Sequence, residues 1–167
     1  MAGTDVLRSP PGDAEAMTAQ QTARRIIEAG NYLTLATANR DGRPWASPVY
    51  YTPDGGIDLF WVSRPGSRHS RNIAERSEVG IVIYDSQVPL GDAEAVYLTA
   101  RAEQVGEADL ERYAGVFRRR RPELASFTPE RLRTPHPLRL YRAHVLEASV
   151  LLNDDGPDIR VPVRVPV

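Results

Sequence analysis

The sequence predicts a mainly β, α+β domain whose antiparallel sheet closes into a small barrel beneath a few helices. Six short runs of strand-forming residues are separated by turn signals such as Asn39-Arg40-Asp41-Gly42 and Thr52-Pro53-Asp54-Gly55-Gly56. The runs around Leu59-Phe60-Trp61-Val62, Ile81-Val82-Ile83 and Val96-Tyr97-Leu98 are apolar on both alternating faces, so each must be covered on two sides. The length of 167 residues allows one core, at roughly 100 to 200 residues per domain.

Taken in order, residues 1–12 carry Pro10 and Pro11 and no apolar stretch, which reads as a flexible arm. Asp13 suits an N-cap, and Ala16, Ala19, Ala23, Ile26 and Ile27 fall at helical spacing until Gly30 stops the helix Ala14–Ala29. Strands over Tyr32–Ala38, Pro44–Tyr51 and Ile57–Val62 are expected to form a meander. Strands over Val79–Tyr84, Ala95–Ala102 and Leu138–Leu152 complete the set. A short polar helix is expected over Ser67–Arg76. Another, over Ala108–Arg120, has one apolar stripe of Leu110, Tyr113, Ala114 and Phe117. This is too little helix to cover a two-sided sheet, so a two-fold homodimer against the barrel wall is expected. The main domain is therefore placed at residues 13–152. In the tail, residues 153–167, valines alternate with Arg or Pro from Arg160 to Val167, the pattern of an edge strand or extended arm.

Composition narrows the chemistry. No apolar run approaches the ~20 residues of a membrane helix, and the first residues do not resemble a secretory signal, so a cytoplasmic protein without a membrane partner is expected. There is no cysteine, which removes disulfides, thiolate nucleophiles and cysteine-bound metals. There is no lysine either: all 21 basic residues are arginine, so an anion must be met by guanidinium forks, helix N-termini or histidine. A formal net charge of -1 gives no general attraction to nucleic acid. Arg118 to Arg121 complement the end of a helix. His69, His136 and His144 have no metal-ligand spacing, so no metal site is expected. Gly-x-Ser-x-Gly, Rossmann and Walker patterns are absent, and a chain this poor in catalytic side chains needs a cofactor to carry a reaction.

The most informative stretch is Ser63-Arg64-Pro65-Gly66-Ser67-Arg68-His69-Ser70-Arg71-Asn72-Ile73. It leaves a strand, turns at Gly66 and enters a helix that Ser67 can cap, with Arg68, His69 and Arg71 around the free N–H groups of the first turn. The pattern suits a phosphate site and equally a capped surface helix with solvated arginines. Pro48 cannot donate a ladder hydrogen bond, which suits either an ordinary edge strand or a backbone left free for a flat heterocycle.

The succession of an N-terminal helix, "YLTLATANRDGRPWASPVYY", "DLFWVSRPGSRHSRNIAERSEVGIVIY" and "LRLYRAHVLEASVLL" resembles the pyridoxamine 5'-phosphate oxidase-like family over about Ala14 to Leu152. The resemblance implies a six-stranded antiparallel split β-barrel with flanking helices, homodimeric, binding FMN in clefts between subunits. It further implies that Ser67, Arg68 and His69 stand where family members hold the flavin phosphate with Ser-Arg-Lys, with Arg71 close by. Val62 and Ser63 would lie beside the ribityl chain, and the backbone of Ala46, Ser47, Pro48 and Val49 along the flavin ring. The implied activity is an FMN-dependent oxidoreductase acting on a small-molecule substrate. The alternatives are a deazaflavin-dependent reductase of the same fold and a non-catalytic flavin or haem carrier. Two departures bear on substrate. Ala95 stands where family oxidases often have glutamine, and no histidine follows His144, so the Arg-x-His substrate clamp of the vitamin B6 oxidases is missing. Pyridoxine phosphate is therefore not the expected substrate.

Overall fold

The computed structural model describes residues 12–89, 91–151 and 160–167. The arm over residues 1–11 and the segment that joins the barrel to the tail lie outside the described residues.

Helix α1 spans Asp13–Ala29 and buries Ala19, Ala23, Ile26 and Ile27 on one side. Gly12, not Asp13, occupies the N-cap; Asp13 lies in the first turn, where its carboxylate favours the positive end of the helix. Strands β1 (Tyr32–Ala38) and β2 (Pro44–Tyr50) form a hairpin closed at Gly42, whose φ of 80° suits glycine. A short β3 (Thr52–Asp54) pairs with β4 (Asp58–Ser63). Next come α2 (Arg68–Glu75), β5 (Glu78–Tyr84), β6 (Ala95–Gln104), α3 (Leu110–Arg119), β7 (Arg139–Leu151) and β8 (Arg160–Val163).

The strands form a single antiparallel sheet in the order β2-β1-β5-β6-β7-β4-β3, with β8 on β7. The expected meander of the first three strands is not found, because β4 pairs with β7 rather than with β2. The reason is Tyr51, the one residue between β2 and β3. It is fully buried, its phenol donates to the Ile27 carbonyl at 2.6 Å, and its N–H donates to Asn31 O at 3.1 Å. Pinned at the end of α1, the chain crosses from one end of the strand order to the other. Consecutive strands β2 and β3 are thus the two terminal strands of the sheet, so the sheet must curl on itself. This is a split barrel of six longer strands with β3 and β8 as short additions. Thr52 to Asp54, which the sequence pattern puts in a turn, form β3; the turn itself is Gly55 to Ile57.

The barrel interior is filled from all sides by residues such as Leu33, Leu35, Trp61, Ile81, Val96 and Val150. A second core lies under α3, where Phe60, Leu132 and Leu140 meet Tyr113 and Phe117. Each fully buried large side chain contributes ~1.5 to 3 kcal/mol. Strand β4 feeds both cores, Leu59 and Trp61 inward and Phe60 outward, so α3 supplies the second cover that its sequence demanded. The outer face of β1 and β5 is different: Tyr32, Ala36 and Tyr84 are exposed and Val82 only half-buried. The tail behaves as an edge strand. Val161 is buried, Val163 and Val165 pack on the interior, and Val167 N–H donates to Gly56 O at 3.0 Å. Any Cβ at Gly56 would collide with the backbone of Val167. Among the described residues no helix is long and apolar enough to cross a membrane.

Candidate functional site

Strand β4 ends at Ser63, and a turn closed by Ser67 N–H to Arg64 O (3.0 Å) leads into α2. Ser67 is the N-cap: its backbone is extended and its Oγ accepts from Ser70 N–H at 3.4 Å. The helix survives with few apolar residues because its inner face buries polar ones, Ser70 and Asn72, beside Ile73. Asn72 Nδ2 donates to Thr37 Oγ1 at 2.9 Å, and Thr37 Oγ1 donates to the Trp45 carbonyl at 3.3 Å, fastening α2 to β1 and β2.

His69 folds back beneath the turn. Its Nε2 lies 2.8 Å from Ser63 Oγ and 3.0 Å from Ser67 Oγ, and its Nδ1 lies 3.2 Å from Ser47 Oγ. Ser67 Oγ donates to Ser70 Oγ at 2.8 Å, and Ser70 in turn is hydrogen-bonded to the buried Tyr141 phenol. With the Ser67 proton directed at Ser70, Nε2–H is the donor toward Ser67, and a neutral ring then leaves Nδ1 to accept from Ser47, an assignment made from the network. Burial lowers the His69 pKa from its usual value, which agrees with that assignment. The positive end of α2 acts in the same direction. Burial also raises the Tyr141 pKa, with the Ser70 hydrogen bond opposing it.

Of the residues singled out in the sequence, the side chains of Ser47, Ser63, Ser67 and His69 meet directly, and Arg68 stands beside them over the Trp45 ring, 4.3 Å from its centroid. Among the described residues the Arg68 guanidinium makes no hydrogen bond or ion pair. Arg71 turns to the Gly66 carbonyl of its own loop. Ala46 and Pro48 are exposed on β2, at an end of the strand order, so one edge of that strand has no neighbour in the sheet. Two side chains point elsewhere: Val49 is in the barrel interior and Val62 packs toward the α3 core. Ser70, Tyr141, Thr37, Asn72 and Trp45 complete the arrangement. Strand parity carried a signal for Trp45, which shares a face of β2 with Ser47. Nothing local signalled Tyr141, which arrives from a strand far along the chain.

His144 is apart from this cluster, its Nδ1 2.9 Å from Asp58 Oδ1 across β7 and β4, and His136 is exposed. Among the described residues no three His, Asp or Glu side chains come together as a metal group. Two clefts of about 310 Å³ each flank the junction of α1 and β3, both lined by Glu28 and Pro53; neither includes a residue of the α2 cluster.

The sequence profile described as pyridoxamine 5'-phosphate oxidase matches residues 19–151. The chain belongs to this family. No curated protein matches in sequence. Among solved structures, a haem binding protein from Mycobacterium smegmatis is similar at TM-score 0.67 and 22% identity, over 95% of this chain and 59% of that one; the chain thus spans less than two thirds of its length. A FAD-binding protein from Mesorhizobium loti gives TM-score 0.60 at 18% identity, over 78% of this chain and 91% of that one. An F420 reductase gives 0.53 at 16%, over 75% and 94%. At these identities the likeness establishes the split-barrel fold, shared with structures described as haem-binding, FAD-binding and an F420 reductase. Ala95, the departure noted in the sequence, opens β6 and is buried.

Proposed function

We propose that this family member is an FMN-dependent oxidoreductase acting on a small-molecule substrate, with the flavin phosphate on the first turn of α2. The observation that carries the reading is the gathering of Ser63, Ser67, Ser70 and His69 at that turn, beside an arginine whose fork is unengaged among the described residues. The donor set fits a phosphate dianion. Hydroxyls rotate to donate, first-turn N–H groups lack helical partners, a guanidinium binds two oxygens at once, and among the described residues no carboxylate hydrogen-bonds within the cluster. When bound, the flavin supplies hydride transfer at its N5. The protein's part is binding and positioning. Arg68, Ser67 and His69 hold the phosphate, Ser63 holds the adjoining chain, and the free edge of β2 at Ala46 to Val49 offers backbone groups to the ring. Val62 contributes through its backbone, since its side chain packs toward α3.

The active form in this reading is a two-fold homodimer. Support comes from the exposed Tyr32, Ala36 and Tyr84 on the outer sheet face. A stable dimer would bury more than ~2,000 Å². Sedimentation at micromolar concentration is expected to give twice the chain mass; a monomer that still binds flavin would contradict this.

The absorption spectrum of the purified protein tests the cofactor. Flavin bands are expected, and reduction of the bound flavin by a nicotinamide donor would mark an enzyme rather than a carrier. A Soret band without flavin would replace this reading with the haem carrier. A colourless protein that binds a deazaflavin in preference to FMN would replace it with the deazaflavin reductase.

A further inference from the structure

Trp45 has little packing to explain a tryptophan at its position, since it is 41% exposed near the start of β2. What it touches is Arg68, whose guanidinium carbon lies 4.3 Å from the ring centroid. The two are fixed from beneath. The Trp45 carbonyl accepts from Thr37, Thr37 accepts from Asn72, and Asn72 lies four residues after Arg68, on the same face of α2. Thr37 and Asn72 are both buried. Two residues along β2 and on the same strand face, Ser47 meets His69. The inner face of β2 and the first turn of α2 therefore engage at two successive points, residue 45 with 68 and residue 47 with 69.

We propose that Trp45 is a positioning residue for the anion site: its ring holds the Arg68 guanidinium by one face and leaves the in-plane N–H fork free for two phosphate oxygens. The inference rests on the phosphate-site reading above. A guanidinium is planar and weakly hydrated, so it stacks on an aromatic face while donating in its own plane. A free surface arginine must give up rotamer freedom when it grips a ligand, and one already held over a ring gives up less. The stack also explains how an arginine with no hydrogen-bond partner among the described residues can keep a defined direction.

The test is a double-mutant cycle on the full chain, titrated with FMN and with riboflavin, which lacks the phosphate. Trp45→Ala is expected to weaken FMN binding roughly two- to fivefold, the range of an exposed cation–π contact. Trp45→Phe should retain most of the affinity, and Trp45→Ala should cost nothing further in an Arg68→Ala background. Riboflavin affinity should be the same in wild type and Trp45→Ala. An equal cost of Trp45→Ala with and without Arg68, or an equal loss for riboflavin, would overturn the role of Trp45 and leave the phosphate site standing. If Arg68→Ala leaves FMN affinity unchanged, or if the wild type binds no FMN, the phosphate-site reading falls and this inference with it.

Discussion

Of the arginines that lie over aromatic rings, Arg120 and Arg68 do opposite things. The Arg120 guanidinium stacks on Tyr51, 4.9 Å from its centroid, and donates to the carbonyls of Glu28 (3.0 Å), Gly30 and Tyr51. It gathers the ends of α1, β2 and α3 at the point where the chain crosses the barrel. Its charge also lowers the Tyr51 pKa, but burial dominates and pushes that phenol up to about 12. Arg68 has the same stack on Trp45 and no such carbonyls among the described residues. The first arginine is consumed by the fold, whereas the fork of the second is unengaged among the described residues.

That contrast is broken most easily at Arg120. Arg120→Ala leaves three main-chain acceptors short of a charged donor, and the expected loss is about 2 to 4 kcal/mol of stability, read from denaturant unfolding. An unchanged midpoint would mean that water replaces the guanidinium without cost and that the crossing is held by Tyr51 alone. Arg68→Ala should do the reverse. Its unfolding should stay within about 0.5 kcal/mol of wild type, while FMN affinity falls by about tenfold or more, since a bidentate arginine–phosphate pair is charge-assisted. Loss of stability instead of affinity would make the two arginines alike.

The smallest effect concerns pH. Burial holds the His69 pKa below its usual value, so the unfolded chain takes up this proton first as pH falls. Stability from this group is therefore complete above about pH 6.5 and declines below it, toward the lowered native value. In His69→Gln the stability profile should be flatter over that interval, by comparison with wild type in the same buffers. A bound dianion favours the imidazolium, so FMN binding should take up protons and tighten as pH falls. The phosphate's own ionisation near pH ~6 limits the gain. Parallel affinity profiles for the two proteins would place His69 outside the anion's reach.

Much of this was legible from local sequence. Alternating strands, their turns, the α2 turn and the tail pattern all depend on near neighbours, and they appear within a few residues of where they were expected. Strand partnership was not legible. Whether β4 joins β2 or β7 depends on Tyr51 locking onto α1, a tertiary contact that no window of sequence contains. The site divides in the same way. Ser67, Arg68 and His69 stand together in the chain, and Ser63 is four residues away. Ser47 and Tyr141 reach the cluster only because β2 curls past α2 and β7 pairs with β4. The sequence also offered His69 as a replacement for a charged lysine. The structure holds it half-buried among hydroxyls, and that burial lowers its pKa from the usual value.

In the function proposed above, the first turn of α2 grips a flavin through its phosphate. The most direct measurement compares the affinities of the wild-type protein for FMN and for riboflavin by titration of flavin fluorescence. A charge-assisted phosphate site predicts that FMN binds at least about tenfold more tightly. Equal affinities would contradict it, and would assign the serines, His69 and Arg68 to the surface of a capped helix.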